Sequence, residues 1–203
     1  MARTPKVVDD RREQIIDAAM RAFSQKGYTR ATNKDIAREA GITPGLIYHY
    51  FENKEALFKA IIESRSPLRL LNSLPPDILA MPPDTFLRLM IRQVLGIVEE
   101  ETFVRLLRVV LPELVYNPKM AEIITGLFQR VFGFLISYFA AKMESGELRQ
   151  ADPALTSQIL LGGVMAFVLR RQIIGDPTAL RYTQEQIVDA VVDTVLNGLV
   201  PRV

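Results

Sequence analysis

The chain has 203 residues, 49% hydrophobic and 24% charged, with 0 cysteines and 1 histidine. That is globular composition, and it excludes a disulfide-stapled scaffold and a thiolate metal site while leaving little for histidine-centred zinc or catalytic chemistry. The formal net charge is +2, with 12 Lys/Arg against 9 Asp/Glu in residues 1–65 and 13 against 14 in residues 66–203, which turns the search for a polyanionic partner to the N-terminal third.

Residues 1–8 contain no apolar signal region and read as a loose arm. Helices are expected near 9–26, 33–40, 44–51, 54–65, 84–101, 102–115, 118–144, 152–174 and 184–199, with no strand pattern anywhere. In the first helix Ile15, Ile16, Ala19, Ala22 and Phe23 share one face, and Gly27 suits a left-handed stop. Thr32 suits the cap of the second, with Asp35 three residues on, and Ile36, Ala37 and Ala40 make a small apolar face. Gly41 ends it and Ile42 plugs the angle. Thr43 then caps a third helix, with Pro44 at a position needing no N–H.

That third helix divides cleanly. Leu46, Ile47, Tyr50 and Phe51 form a stripe expected to be buried, while Gly45, Tyr48 and His49 span about 100° of the opposite side. A two-turn helix gains little stability alone, so its exposed face is expected to be used. Two short helices joined by a Gly turn make a helix-turn-helix, whose second helix enters the major groove. Asn53 caps the fourth helix, whose core face is Leu57, Phe58, Ile61 and Ile62. Lys54 lies in its first turn, where a cation opposes the dipole, a cost more acceptable beside an anion such as phosphate.

The run Thr32-Asn33-Lys34-Asp35-Ile36-Ala37-Arg38-Glu39-Ala40-Gly41-Ile42-Thr43-Pro44-Gly45-Leu46-Ile47-Tyr48-His49-Tyr50-Phe51-Glu52-Asn53-Lys54, with Ile15 to Ala19 and Phe23 to Tyr28 upstream, resembles the TetR/AcrR family of bacterial repressors. The resemblance covers about residues 9–65. It implies that Thr32 and Thr43 are caps that also touch phosphate, that Pro44, Gly45 and Leu46 face bases, and that Tyr48, His49, Tyr50 and Lys54 contact the DNA backbone. Pro44 and Leu46 stand where other members often carry polar residues. They offer apolar contact, for example to a thymine methyl, and no side-chain hydrogen bond.

Residues 66–83, with Pro67, Pro75, Pro76, Pro82 and Pro83, cannot form one helix and read as a packed connector. Beyond it lies a helical bundle. Phe86, Leu89, Met90, Gln93, Val94 and Ile97 suggest one stripe, Leu106, Leu107, Val110 and Leu111 another, and Pro112 is expected to kink or end its helix. Residues 118–144 are apolar around most of the circumference and are expected at the centre. The longest apolar run, Ile159 to Leu169, has 11 residues, short of the roughly 20 that span a bilayer. The expectation is therefore a cytoplasmic protein without a membrane partner.

Catalytic and metal-binding constellations are absent from the sequence, so neither an enzyme nor a cofactor is expected. Aromatic and aliphatic residues in 84–180 suit an apolar or amphipathic small-molecule effector, with Arg105, Gln129, Tyr138 and Arg170 as candidate polar contacts. Segments 152–174 and 184–199 are the expected homodimer interface, through Gly162, Val164, Val191 and Val195. The resemblance implies a dimer held by the last two long helices.

The expected architecture is thus all-α. A helix-turn-helix head, residues 9–65 with its motif at about 32–51, is joined by a linking helix to a ligand-binding and dimerisation domain, residues 66–203. The expected function is a one-component regulator, a repressor released from a near-palindromic double-stranded DNA operator by an effector. The alternatives are an effector-independent or partner-controlled DNA-binding protein and, further off, a helical enzyme.

Overall fold

A computed structural model of the chain describes residues 5–74 and 77–199, with side chains from residue 10 to residue 198. Every regular element among these residues is helical. The helices group into two compact units. One comprises the chain through Ser66 together with Glu101–Thr125, and the other comprises Pro67–Glu100 with the chain from Gly126 onward.

In the first unit, α1 (Pro5–Lys26) runs beside α2 (Asn33–Ala40), followed by α3 (Pro44–Tyr50) and α4 (Lys54–Arg65). The first helix starts four residues earlier than the sequence suggested, so residues 5–8 are helical rather than a loose arm. Pro5 suits that start, because the first turn of a helix has no use for its missing N–H. Residues 1–4 lie outside the described set. The predicted face of α1 is buried throughout, as are Ile36, Ala37 and Ala40 of α2 and Leu57, Phe58, Ile61 and Ile62 of α4. Phe23, Tyr28 and Phe58 meet edge-on or tilted, with ring centres 4.8–6.2 Å apart. Each such side chain contributes roughly 1.5–3 kcal/mol by leaving water. Arg65, at the end of α4, reaches back to Glu13 at 2.6 Å and Asp17 at 2.8 Å on α1.

Helix α7 (Glu101–Tyr116) packs on α1 and α4 in the same unit, with Phe103, Leu106, Leu107, Val109 and Val110 buried. Pro112 lies inside it without ending it. Only its own N–H is lost, and the turn beyond re-forms as the Asn117 N–H donates to the Glu113 carbonyl at 3.0 Å. The long helix α8 (Pro118–Glu144) places its first eight residues in this unit and the remainder in the other.

In the second unit, a short α5 (Leu68–Leu71) and a 3₁₀ turn (Ile78–Ala80) occupy the proline-rich connector. Helix α6 (Pro83–Val98) packs on α11 (Gln184–Leu199) and on α9 (Pro153–Val168). The buried face of α6 is not the stripe read from the sequence. Phe86, Leu87, Ile91, Leu95, Ile97 and Val98 are buried, whereas Leu89 and Gln93 are exposed. The face actually used contains no polar interruption, so it loses less on desolvation. The rim is charged: Arg88 bonds Asp84 and, across to α11, Asp189 and Asp193, while Arg92 grips both oxygens of Glu185 at 2.8 Å.

The segment expected as one helix over 152–174 changes character within it. Regular α9 gives way to a π-helical stretch (Leu169–Ile174), closed by Gly175 at φ 67° and followed by α10 (Pro177–Leu180). The expectation for α8 also needs adjustment. Leu135, Tyr138, Phe139 and Met143 are buried, but Phe128 is 43% exposed, so one apolar side remains open in the protomer. By length and composition α8 and the helical run Pro153–Ile174 are each long and apolar enough to cross a membrane. Counting only the unbroken 11-residue run overlooked this, because isolated polar residues interrupt both helices.

Candidate nucleic-acid interface

The head is assembled from local caps. Thr32 accepts the Asp35 N–H at 3.2 Å, and Asp35 accepts the Thr32 N–H at 3.0 Å, a reciprocal box that starts α2. Gly41 ends that helix at φ 63°, and the Ile42 N–H bonds the Ala37 carbonyl at 3.0 Å. A side chain at φ 63° is strained, which is why glycine holds this corner. Asn53 caps α4 by accepting the Ala56 N–H at 2.7 Å.

Thr43 departs from expectation. It occupies the cap position of α3, yet its hydroxyl makes no capping bond. Pro44 has no N–H, and the Leu46 N–H is taken by the Thr43 backbone carbonyl at 3.0 Å. One of the two donors that a capping hydroxyl would serve, those of Gly45 and Leu46, is thus already occupied.

Among the nine residues singled out for DNA, Thr32, Thr43, Pro44, Gly45, Tyr48 and His49 are exposed. Leu46, Tyr50 and Lys54 are half-buried. The expected buried stripe of α3 is therefore narrower than predicted: Ile47 and Phe51 alone are sequestered. Tyr48 is 59% exposed, and a Cβ added at Gly45 would meet open space. His49 meets the Tyr50 ring edge-on at 5.3 Å. Arg12 of α1 lies over the Phe51 ring at 5.3 Å, a basic neighbour at the end of α3 that helical periodicity alone did not reveal.

Lys54 is turned inward. Its ammonium donates to the Tyr28 carbonyl and, at 3.4 Å, to the Thr29 carbonyl, and it sits 4.3 Å from the centre of the Tyr28 ring. The helix-dipole cost of a lysine in this turn is thus offset inside the head. Burial lowers its pKa, opposed by the nearby Glu113 and Glu55 carboxylates. Burial, with the same two charges, pushes the Tyr28 hydroxyl well above the usual tyrosine range.

The four candidate effector contacts do not converge. Arg105 is exposed and pairs with Glu101 at 3.4 Å one turn away, and Gln129 is exposed. Arg170 binds Asp176 at 2.6 Å and Thr178 at 2.8 Å, bracing the end of the π stretch. Tyr138 is a core residue, stacked on Phe86 at 3.9 Å and donating to the Met81 carbonyl at 3.3 Å. Instead, an open groove of about 440 Å³ runs along the outer side of α6, lined by Arg69, Leu89, Arg92, Gln93, Gly96, Ile97 and Glu100. No group of metal-binding side chains occurs among the described residues.

The interface expectation also needs correction. Val164, Val191 and Val195 are buried within the protomer, against the facing helices of the second unit. Of the four residues expected at the interface, only Gly162 is exposed, and nothing lies within 4 Å of a Cβ built there. The large exposed apolar residues of α9 are Leu155 and Ile159, with Ile174 beyond them. Residues 155, 159, 162 and 166 share one helical face.

Comparison with known proteins decides the family. Residues 15–61 match the family profile of bacterial regulatory proteins of the tetR family, and residues 85–198 match the C-terminal domain of AefR-like transcriptional repressors. The chain belongs to the TetR family of transcriptional regulators. It is 29% identical over 160 residues to the HTH-type transcriptional regulator UidR of Escherichia coli strain K12, covering 76% of this chain and 80% of that one. Over 62 residues it is 47% identical to TtgR of Pseudomonas putida, 30% of each chain. Its fold is similar to that of FadR from Bacillus subtilis, solved in complex with stearoyl-CoA, with a TM-score of 0.74 at 22% identity, covering 92% of this chain and 98% of that one. The two long apolar helices both fall within the matched repressor domain.

Proposed function

We propose that this TetR-family regulator is a cytoplasmic homodimeric repressor that sets α3 of each head into the major groove of a near-palindromic operator and leaves DNA when an amphipathic effector binds. The observation that carries the reading is the face of α3. Gly45, Tyr48 and His49 stand exposed on a short helix whose other side, Ile47 and Phe51, is locked into the head. Residues 9–65 are the DNA-binding domain. Pro44, Gly45 and Leu46 approach base edges, and Thr32, Thr43, Tyr48, His49, Tyr50 and Lys54 position the head on phosphates. Arg12 adds positive charge beside them.

Residues 66–203 bind the effector and dimerise. The groove on α6 offers apolar surface from Leu89 and Gly96 and two guanidinium groups, Arg69 and Arg92, which are paired with Glu100 and Glu185 and would exchange those partners for a ligand's acidic head. That chemistry suits a ligand with an apolar body and an acidic head. The complex of Bacillus subtilis FadR with stearoyl-CoA supports an effector of this character. Two copies meet through Leu155, Ile159, Gly162 and Ile174 of the open face rather than through the buried valines. An effector releases DNA only by favouring a head spacing that no longer fits two successive grooves, which requires different affinities for the two arrangements.

Selection from random duplexes followed by footprinting tests the DNA reading. A two-fold symmetric protected site is expected, and binding without sequence preference would refute it. Thermal-shift screening of acidic amphiphiles against nucleotides and divalent metals tests the effector class, since true ligands raise the midpoint by mass action. Stabilisation and operator release by nucleotides or metals alone would overturn it.

A further inference from the structure

Lys54 is assigned above to the DNA backbone, yet its ammonium is bonded to the carbonyls of Tyr28 and Thr29 and faces the rings of Tyr28 at 4.3 Å and Phe23 at 5.7 Å. An ammonium that donates to these two carbonyls is turned toward this turn and away from phosphate. The seat is completed from α7. Glu113 is buried, a rare condition for a carboxylate, and has no ion-pair partner among the described residues. One of its oxygens accepts the Thr29 hydroxyl at 3.5 Å and the other accepts the Asn117 amide at 2.8 Å. It therefore touches the same turn that holds Lys54, and no ion pair of its own is found among the described residues. Glu55, the other carboxylate in the vicinity, is already paired with Lys119 at 2.6 Å.

We infer that Glu113 is a positioning residue that holds Lys54 in its inward seat, so that reaching phosphate requires Lys54 to leave the field of the Glu113 carboxylate. This rests on the phosphate role given to Lys54 above. A buried carboxylate without a cation and a desolvated ammonium favour one another in a low-dielectric setting. The attraction lowers the population of heads with Lys54 free, and apparent operator affinity falls in proportion. Because Glu113 lies on α7 and not in the helix-turn-helix, displacement of α7 alters the hold on a DNA contact without reshaping α3.

The test is operator titration of the full-length protein across a salt series with wild type, Glu113→Gln, Lys54→Ala and the double variant. Lys54→Ala weakens binding and lowers the salt slope by about one per head. Glu113→Gln, nearly isosteric, tightens binding about three- to tenfold, the tightening vanishes in the Lys54→Ala background, and Glu113→Asp behaves as wild type. An effect of Glu113→Gln under twofold, a weakening, or equal tightening with and without Lys54 overturns the inference while leaving the phosphate role intact. Unchanged affinity and slope in Lys54→Ala removes the phosphate role itself, and the inference with it. Should Glu113→Gln fail to fold, the ammonium resonance of Lys54 in the wild type decides: it is expected to be protected in the free protein and to shift on adding operator, and a resonance indifferent to operator refutes the latch.

Discussion

Asp35 and Thr32 hold each other's backbone N–H groups, and Lys26 reaches the free oxygen of Asp35 at 2.6 Å. The three residues tie the end of α1 to the start of α2 through one carboxylate. The hydrogen bond from Lys26, followed by those from Thr32, holds the Asp35 carboxyl far below the usual carboxylate range. A carboxyl depressed on folding adds stability that is complete above its unfolded pKa, about 3.9, and disappears as pH falls below it through the folded value. Urea unfolding is therefore expected to show Asp35→Asn less stable than wild type at pH 7, with the gap closing as pH drops below about 4. Thr32→Ala is expected to cost about 1 kcal/mol near neutrality.

Gly45→Ala separates folding from recognition. The added methyl meets open space within the protein, and alanine gains about 0.5–1 kcal/mol of helix propensity. The melting temperature is expected to hold or rise, while operator affinity falls roughly tenfold where a methyl obstructs the base edges. Equal operator affinity would place Gly45 away from DNA.

Tyr48→Ala and His49→Ala are expected to weaken binding to specific and non-specific duplexes alike, since phosphate contacts position without specifying. Competition titrations with both duplex classes check this. A selective loss on the operator would move either residue into base readout.

Charge placed on α9 is expected to give two different outcomes. Ile159→Glu, on a side chain 68% exposed in the protomer, yields a folded monomer in sedimentation. Val164→Glu, at a residue 6% exposed, compromises the fold itself because the carboxylate has no partner there. A dimer in Ile159→Glu would exclude this face as the interface.

Arg171 gathers the far end of the second unit. It donates to the Ala179 carbonyl at 3.1 Å, the Tyr182 carbonyl at 2.6 Å and Glu99 at 2.6 Å, and Gln184 occupies the other Glu99 oxygen at 2.6 Å. Arg171→Ala leaves one oxygen of a half-buried carboxylate and two carbonyls without this donor and removes the only charge paired with Glu99 among the described residues, and a destabilisation of about 3 kcal/mol is expected from denaturant unfolding.

Much of the head was legible because its determinants are local. A capping pair three residues apart, a glycine at a left-handed corner and a proline at a first helical position act within one turn, so Thr32 with Asp35, Gly41 and Pro44 announce α2 and α3 without reference to the rest of the chain. The alternation of apolar residues likewise fixed the faces of α1 and α4. What tertiary structure decided was the use of groups whose partners are distant in sequence. Lys54 turns inward because the Tyr28 and Thr29 carbonyls and the Tyr28 ring wait there. Tyr138 belongs to the core because Phe86 stacks on it. On α6 two apolar stripes competed, and α11 and α9 cover the one without Gln93. On α9 nearly every side is apolar, so periodicity could not tell Val164, buried in the protomer, from Ile159, left open; only the packing of neighbouring helices selects between equally hydrophobic faces.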